Sequence, residues 1–85
     1  MPEISRFLGI VIAMYYNEHG APHFHASYGD YDIKVYIETG VVEGKFPKRA
    51  LRAVLDWNDE HMQELLNDWE LARKGEALKP IEPLE

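Results

Sequence analysis

The stretch HFHASYGDYDIKVYIE, residues 23–38, alternates between apolar and polar side chains in the way that is typical of a β-hairpin. Gly29 and Asp30 at its centre suit a two-residue turn, because glycine adopts positive φ without strain. Such a turn fixes the pairing of every residue on either side of it. The predicted pairs are Tyr28 with Tyr31, Ala26 with Ile33 and Phe24 with Val35 on one face, and Ser27 with Asp32, His25 with Lys34 and His23 with Tyr36 on the other.

The segments on both sides of this hairpin predict further strands. FLGIVIAMYY, residues 7–16, is rich in β-branched and aromatic residues, and it predicts one continuous strand with two apolar faces. Thr39 and Gly40 predict a second tight turn into the short strand VVEG, which would place Val42 opposite Ile37. The hairpin is therefore expected in the middle of an antiparallel sheet of three or four strands.

The second half of the chain predicts helical structure. Between residues 48 and 74, apolar side chains recur at alternating spacings of four and three residues, with no glycine or proline among them. Pro47 suits the first helical turn, and Gly75 suits the C-terminal cap. The pattern predicts either one long helix or two helices with a break near Asn58. The tail LKPIEPLE contains two prolines and should be extended.

The fold class expected from these elements is α+β. A small antiparallel sheet would pack against the C-terminal helical segment, in a single domain spanning residues 1–85. Phe24, Val35 and Ile37 should be buried beneath the helix. Since neighbouring side chains of a strand point to opposite faces, His23 and His25 should lie on the other face of the sheet.

Composition limits the location and the partners of the protein. The chain has no cysteine, so neither a disulfide nor a thiolate zinc site can stabilise it. The N-terminus lacks the features of a signal peptide, and the longest apolar run is far shorter than the roughly 20 residues of a spanning helix. We therefore expect a cytoplasmic protein that is not inserted in a membrane. The net charge of −6 disfavours binding of nucleic acid by the whole surface and favours a basic partner.

The segment ISRFLGIVIAMYYNEHGAPHFHASYGDYDIKVYIETG, residues 4–40, resembles the small bacterial family called domain of unknown function 4160. PHFHASYG, residues 22–29, is the most specific part of the resemblance. The family often has two prolines before HFH, whereas Ala21 takes the first of these positions here. The helical segment carries the other matching residues, Trp57, His61, Glu64, Leu65 and Trp69.

The resemblance implies membership of an uncharacterised family and supplies no catalytic residues. Members of the family are often encoded beside another small domain of unknown function and are suspected of toxin–antitoxin pairing. The resemblance therefore implies that the partner is a small protein encoded by an adjacent gene. A homodimer is a second option that the sequence leaves open.

Three of the four histidines lie close together, at His19, His23 and His25. His23 and His25 are two residues apart on a predicted strand, so their imidazoles point to the same face, and His19 could fold over them from the preceding loop. Three imidazoles would suit Zn²⁺, Ni²⁺ or Fe²⁺. Asp32 or Glu38 could then add a carboxylate from the neighbouring strand.

Other observations weaken the metal hypothesis. Lys34 is predicted opposite His25, and a cation there disfavours a dication. His19 lies in a loop beside Gly20, and ordering that loop costs roughly 1–2 kcal/mol per residue. We therefore expect neither a tightly bound metal nor another cofactor at these histidines.

Two further hypotheses use the same face, with His19, His23, His25, Lys34 and Tyr36 as its candidate functional residues. In the first, imidazoles, lysine and tyrosine move protons as in a metal-free ribonuclease of toxin type. In the second, the imidazoles hydrogen-bond the loop backbone or form, with the aromatic side chains, a surface that a partner protein covers. The acidic net charge favours recognition of a protein over attack on a polyanion.

The segment KFPKRALR concentrates positive charge. It holds four of the nine basic residues in a chain with fifteen acidic residues. Because free backbone N–H groups at the start of a helix also attract anions, this segment is the predicted site for phosphate or an acidic partner segment. The residues of this candidate anion site are Lys45, Lys48, Arg49 and Arg52.

Overall fold

The computed structural model describes residues 2–84 and shows an antiparallel sheet of five strands with two helices. The α+β fold class is therefore confirmed, with one or two strands more than predicted. The strands lie in chain order across the sheet, as β1 (Glu3–Phe7), β2 (Ile10–Ala13), β3 (His23–Tyr28), β4 (Tyr31–Tyr36) and β5 (Val42–Gly44). The helices are α1 (Lys48–Glu60) and α2 (Met62–Arg73).

The β3–β4 hairpin has the predicted register at all six pairs, from His23 opposite Tyr36 to Tyr28 opposite Tyr31. Gly29 has φ of 58°, as the first central residue of a type II′ turn requires. Phe24, Val35 and Ile37 are fully buried, as predicted.

The apolar run at residues 7–16 forms a hairpin and not one strand. Phe7 at the end of β1 pairs with Ile10 at the start of β2. Leu8 and Gly9 form the turn, with φ of 52° and 78°, and positive φ at both central residues is the mark of a type I′ turn. The prediction of a single strand was wrong because leucine rarely adopts positive φ and is not a recognised turn residue.

The turn between β4 and β5 is longer than predicted. Val42 pairs with Val35 and not with Ile37. Residues 37–40 all belong to the turn, because the backbone N–H of Tyr36 donates to the carbonyl of Val41 over 2.9 Å. The N–H of Ile37 instead donates to the carbonyl of Pro22 over 3.0 Å, which ties this turn to the segment before β3.

Two helices, and not one continuous helix, follow the sheet. They separate at His61, whose φ of −119° and ψ of 24° lie outside the helical region. This is the second of the two predicted arrangements, with the break three residues beyond Asn58. Asn58 is buried and donates from Nδ2 to the carbonyl of Ile37 over 3.0 Å. Neither helix within residues 2–84 has the length and apolarity that crossing a membrane requires.

α2 ends at the glycine that the sequence predicted. Gly75 has φ of 72°. The N–H of Glu76 donates to the carbonyl of Leu71 over 2.9 Å, and that of Gly75 donates to the carbonyl of Ala72 over 3.2 Å. These two hydrogen bonds form a Schellman motif, which satisfies carbonyls that the end of the helix would leave unpaired.

Trp57 is the largest of the fully buried side chains. It is fully buried, although it lies outside the strict apolar stripe of the sequence. Its ring lies 5.5 Å from that of Phe7 and 5.6 Å from that of Phe24, so α1 covers β1 and β3 on one face of the sheet. Other buried members of the core are Ile4, Ile10, Ile12, Met14, Ala26, Ile33, Val54, Leu65, Trp69 and Ile81.

The C-terminal segment, residues 76–84, is extended and returns to the start of the chain. The N–H of Ile81 donates to the carbonyl of Ile4 over 2.8 Å, and the Ile81 side chain is buried. The indole N–H of Trp57 donates to the carbonyl of Glu82 over 2.8 Å. The segment therefore covers the outer edge of β1 as well as the core beneath it.

Candidate functional site

The loop between β2 and β3, residues 14–22, carries a glutamate onto the two histidines of β3. Asn17 and Gly20 adopt positive φ in this loop. Glu18 places Oε1 at 3.2 Å from Nε2 of His23 and at 2.7 Å from Nε2 of His25. One ligand atom from each residue lies within 4.8 Å of the other two. Glu18, His23 and His25 are termed the Glu–His cluster below.

A hydrogen bond and packing against neighbouring rings hold the His23 imidazole in one orientation. Only 2% of its side chain is exposed. Nδ1 donates to the carbonyl of Ala21 over 2.8 Å, since a carbonyl oxygen can only accept. The ring packs 4.9 Å from that of Trp69 on α2 and 5.6 Å from that of Tyr36 on β4. The bond to Ala21 places the proton on Nδ1 and turns Nε2 towards Glu18.

His25 and Glu18 form the more accessible side of the cluster, with 28% and 30% of their side chains exposed. Tyr15 packs edge-on against the His25 ring at 4.7 Å. The hydrogen bond from His25, supported by His23, lowers the pKa of Glu18 below its ordinary value, although burial opposes this effect. A glutamate with a lowered pKa is ionised at neutral pH and offers a charged oxygen to a cation.

The other residues of the predicted surface do not join this cluster. His19 is exposed in the loop and is not one of the clustered ligands. Lys34 directs its ammonium group towards Glu43 of β5, at 3.9 Å from Oε1. The hydroxyl of Tyr36 donates to Oε2 of Glu43 over 3.2 Å. Four of the five residues predicted as one surface are thus divided between two carboxylates, and His19 is not one of them.

The carboxylates that the sequence suggested as additional ligands lie elsewhere. Asp32 accepts a hydrogen bond from the hydroxyl of Ser27 over 2.7 Å, and Glu38 is exposed in the turn after β4. The role of Glu18 was not predicted from the sequence. Asn17 could have indicated a reversal of the chain beside it, since asparagine tolerates the positive φ of such a reversal.

A second candidate surface surrounds the start of α1. Lys45, Lys48, Arg49 and Arg52 are all exposed there, and within residues 2–84 none of them forms an ion pair. The first turn of α1 contains no acidic residue, and Pro47 at its cap makes no side-chain hydrogen bond to it. The helix start therefore presents backbone N–H groups beside four cationic side chains.

Exposed apolar side chains lie next to these cations. The turns after β1 and β3 fall at the same end of the sheet, because the strands run as a simple meander. A cleft of about 300 Å³ between them is lined by Leu8, Tyr28 and Arg49, among others. Leu8 is 71% exposed, and Tyr31, which pairs with Tyr28 across the β3–β4 hairpin, is 48% exposed. Leu8, Tyr28, Tyr31 and the four cationic residues are termed the turn-end surface below.

Comparison with known proteins places the chain in a family. A family model described as Domain of unknown function (DUF4160) matches residues 9–70, which include the Glu–His cluster and most of both helices. No curated protein and no solved structure matched the chain. Since the family model covers well over half of the sequence, the chain belongs to the family Domain of unknown function (DUF4160).

Proposed function

We propose that the protein is an interaction module that binds an acidic segment of a second small protein through the turn-end surface. The observation that carries this proposal is a group of four unpaired cations beside exposed apolar side chains, in a chain of net charge −6. Charge complementarity identifies the partner as acidic at the point of contact.

The distribution of charge favours one orientation of the partner. Outside the segment from Lys45 to Arg52 the chain has five basic residues against fifteen acidic ones, so an acidic ligand is repelled from most of the surface. Attraction at one end and repulsion elsewhere steer the encounter, and steering of this kind weakens as salt is added. The predicted preference for a basic partner applies to the rest of the molecule and not to this end.

The apolar side chains of the turn-end surface supply the anchors. Tyrosines are enriched in protein interfaces because they combine a large apolar area with a polar group. Leu8 is stronger evidence for a binding surface than the tyrosines are. Its φ of 52° is a backbone conformation that ordinarily costs a leucine about 1–3 kcal/mol. A strained turn that exposes a leucine is better explained by binding than by folding.

The partner proposed here is the product of an adjacent gene, in a two-protein unit of toxin–antitoxin kind. Membership of the family supports this identity through the gene arrangement that its members often share. The structure supports only the chemistry of the contact, in which acidic and apolar residues of the partner meet Arg49 and Leu8. The two parts of the proposal are tested together by co-purification.

The decisive experiment co-expresses the chain with the product of the adjacent gene and measures the affinity of the purified pair. Arg49→Glu combined with Arg52→Glu should weaken binding at least tenfold, or by about 1.4 kcal/mol. Leu8→Asn should also weaken binding while leaving the chain folded, because asparagine tolerates positive φ. Arg73→Glu is the control, since it also reverses the charge of an exposed arginine but lies on α2, outside the turn-end surface.

Equal binding by all of these variants would show that the partner does not use the turn-end surface. Failure of the adjacent-gene product to bind the unmodified chain would contradict the proposed identity of the partner. Circular dichroism of each variant separates a loss of contact from a loss of fold.

A further inference from the structure

We infer that the Glu–His cluster is a binding site for a divalent transition metal, with Zn²⁺ as the best-suited ion. The ligands are Oε1 of Glu18, Nε2 of His23 and Nε2 of His25. Two imidazoles and one carboxylate form a ligand set that zinc and ferrous iron both accept. This site is separate from the turn-end surface, and its occupancy does not depend on the proposed partner.

The spacing of the ligand atoms fits a metal ion. Bonds of about 2.0–2.2 Å around a tetrahedral zinc place neighbouring ligands roughly 3.3–3.6 Å apart. Oε1 of Glu18 already lies 3.2 Å from Nε2 of His23 and 2.7 Å from Nε2 of His25. Insertion of the ion therefore lengthens the shorter of these two contacts by less than about 1 Å, and the two imidazole nitrogens, which lie within 4.8 Å of each other, would adjust to the same spacing.

The hydrogen bond that Nδ1 of His23 donates to Ala21 also favours metal binding at Nε2. Because Nδ1 donates to Ala21, the neutral ring carries a lone pair on Nε2, and this lone pair faces the carboxylate of Glu18. Two acceptors at 3.2 Å repel one another unless a proton or a metal ion lies between them, so this position suits a cation. Histidine ligands of metals commonly donate their other N–H to a backbone carbonyl, as His23 does to Ala21.

The surroundings of the cluster strengthen its hold on a cation. Tyr15, Tyr36 and Trp69 pack against the two imidazole rings and fix their orientation. Partial exclusion of water by these rings also increases the attraction between the ionised glutamate and a dication. Lys34, which the sequence placed as an opposing charge, directs its ammonium group towards Glu43 instead.

The position of Glu18 also removes one reason for expecting no tightly bound metal. That expectation assumed His19 as the third imidazole, with Asp32 or Glu38 as a possible carboxylate ligand. Glu18 supplies the carboxylate from the same loop, and its Oε1 already lies within 3.2 Å of Nε2 of both rings, so the arrangement needs little ordering. Three protein ligands leave a fourth position of a tetrahedral ion to water or a small exogenous anion.

The test is a zinc titration of untagged protein in competition with a chromophoric chelator, followed by the visible spectrum of the Co²⁺ form. About one equivalent should bind with a Kd below about 10 μM. Glu18→Gln and His25→Ala should each weaken binding at least tenfold. Both residues are partly exposed, so these variants should remain folded where a change at buried His23 would not.

Two controls make the assignment specific. His19→Ala removes an imidazole from the same loop without touching the cluster, and it should leave the Kd within about twofold. Glu64→Gln disrupts the second histidine–glutamate pair, in which Nδ1 of His61 lies 2.6 Å from Oε1 of Glu64, and it should likewise leave the Kd unchanged. A Kd above about 10 μM would overturn the proposal. So would equal affinities of the Glu18→Gln and unmodified chains, or a loss in His19→Ala as large as that in His25→Ala.

Discussion

Glu18 and Asp68 are carboxylates whose surroundings shift their pKa values in opposite directions. The hydrogen bond from His25 lowers the pKa of Glu18. Burial raises the pKa of Asp68, although the hydrogen bond from the N–H of Lys79 to its Oδ1 over 3.0 Å offsets part of this effect. Among the described residues, Oδ2 of Asp68 has no hydrogen-bond partner. The folded protein therefore favours the charged form of Glu18 and the neutral form of Asp68.

Asp68 should make stability depend on pH. A carboxyl whose pKa is raised by folding stabilises the folded state below its unfolded value of 3.8 and loses that contribution as pH rises through the folded pKa. The free energy of unfolding of the unmodified chain, relative to Asp68→Asn, should therefore fall as pH rises from about 3.8 towards neutrality. The fall amounts to about 1.4 kcal/mol for each unit by which folding raises the pKa.

Urea denaturation of both proteins at several pH values measures this difference. The amide oxygen that Asp68→Asn introduces can still accept the hydrogen bond from Lys79, so the comparison isolates the charge. A difference that stays constant across the range would show that burial does not affect the ionisation of Asp68.

Phe24→Ala should remove about 3–5 kcal/mol from the free energy of unfolding, because Phe24 is fully buried and packs against Trp57. Urea denaturation measures the loss. Tyr31→Ala is the matched control, since it truncates an exposed aromatic side chain of the same hairpin and should cost less than about 1 kcal/mol. Equal losses in the two variants would remove Phe24 from the core.

The sequence predicts individual residues well where a strict period applies. Phe24 and Val35 were placed in the core because alternate side chains of a strand share a face, and both are fully buried. His23 was predicted on the face away from the helical segment, but its ring is buried against Trp69 of α2, and the period of a strand does not indicate where α2 lies. Glu18 approaches the histidines through an irregular loop, and no period describes such a loop. The centre of the Glu–His cluster was therefore beyond sequence reasoning.

The bounds of a strand or helix were predicted correctly where the residues at its end clearly favour a turn or a cap. Gly29 and Asp30 identified the β3–β4 turn, and Gly75 identified the end of α2, because glycine relieves a steric restriction at both places. The turn at Leu8 and Gly9 also contains a glycine, but it was missed because leucine is not a recognised first residue of a type I′ turn. The helices separate at His61, where no glycine or proline occurs, so the sequence indicated only the neighbourhood of the break.

The C-terminal segment should contribute measurably to stability. Ile81 is buried and its N–H pairs with β1, so Ile81→Ala should cost about 2–5 kcal/mol by removing core contacts. Glu82→Ala is the matched control, because its side chain is exposed while its backbone carbonyl still accepts from Trp57. The control should lie within about 0.5 kcal/mol of the unmodified chain. Thermal denaturation compares them, and similar melting temperatures would mean that the segment is not part of the core.

On the scale of the whole molecule, the two candidate sites lie at opposite ends of the sheet. The turns after β1 and β3 are at one end, whereas the loop that carries Glu18 joins β2 and β3 at the other. Charge follows the same division, since four cations surround the start of α1 and the Glu–His cluster offers an anion. Partner binding and metal binding should therefore be separable by mutation.

Inorganic phosphate should bind at the turn end. In a titration followed by amide NMR shifts, the changes should concentrate at residues 46–50, where backbone N–H groups and cationic side chains converge. The shifts should diminish as sodium chloride is added, because exposed charges are screened within about 10 Å at 0.1 M salt. Shifts spread evenly over the chain would indicate that the four cations are merely solvated. Arg49→Glu should abolish the local shifts, and Glu18→Gln should not.

The hydrogen bond between Ile81 and Ile4 also has a consequence during synthesis. Ile4 lies in β1 and leaves the ribosome before Ile81, which follows both helices in the chain. At about 5–20 residues per second, the outer edge of β1 waits roughly 4–15 s for its partner. An uncovered strand edge can pair with other nascent chains during that interval. Translation that stalls between Ile4 and Ile81 would prolong this exposure and, with it, the time during which the growing chain is open to aggregation.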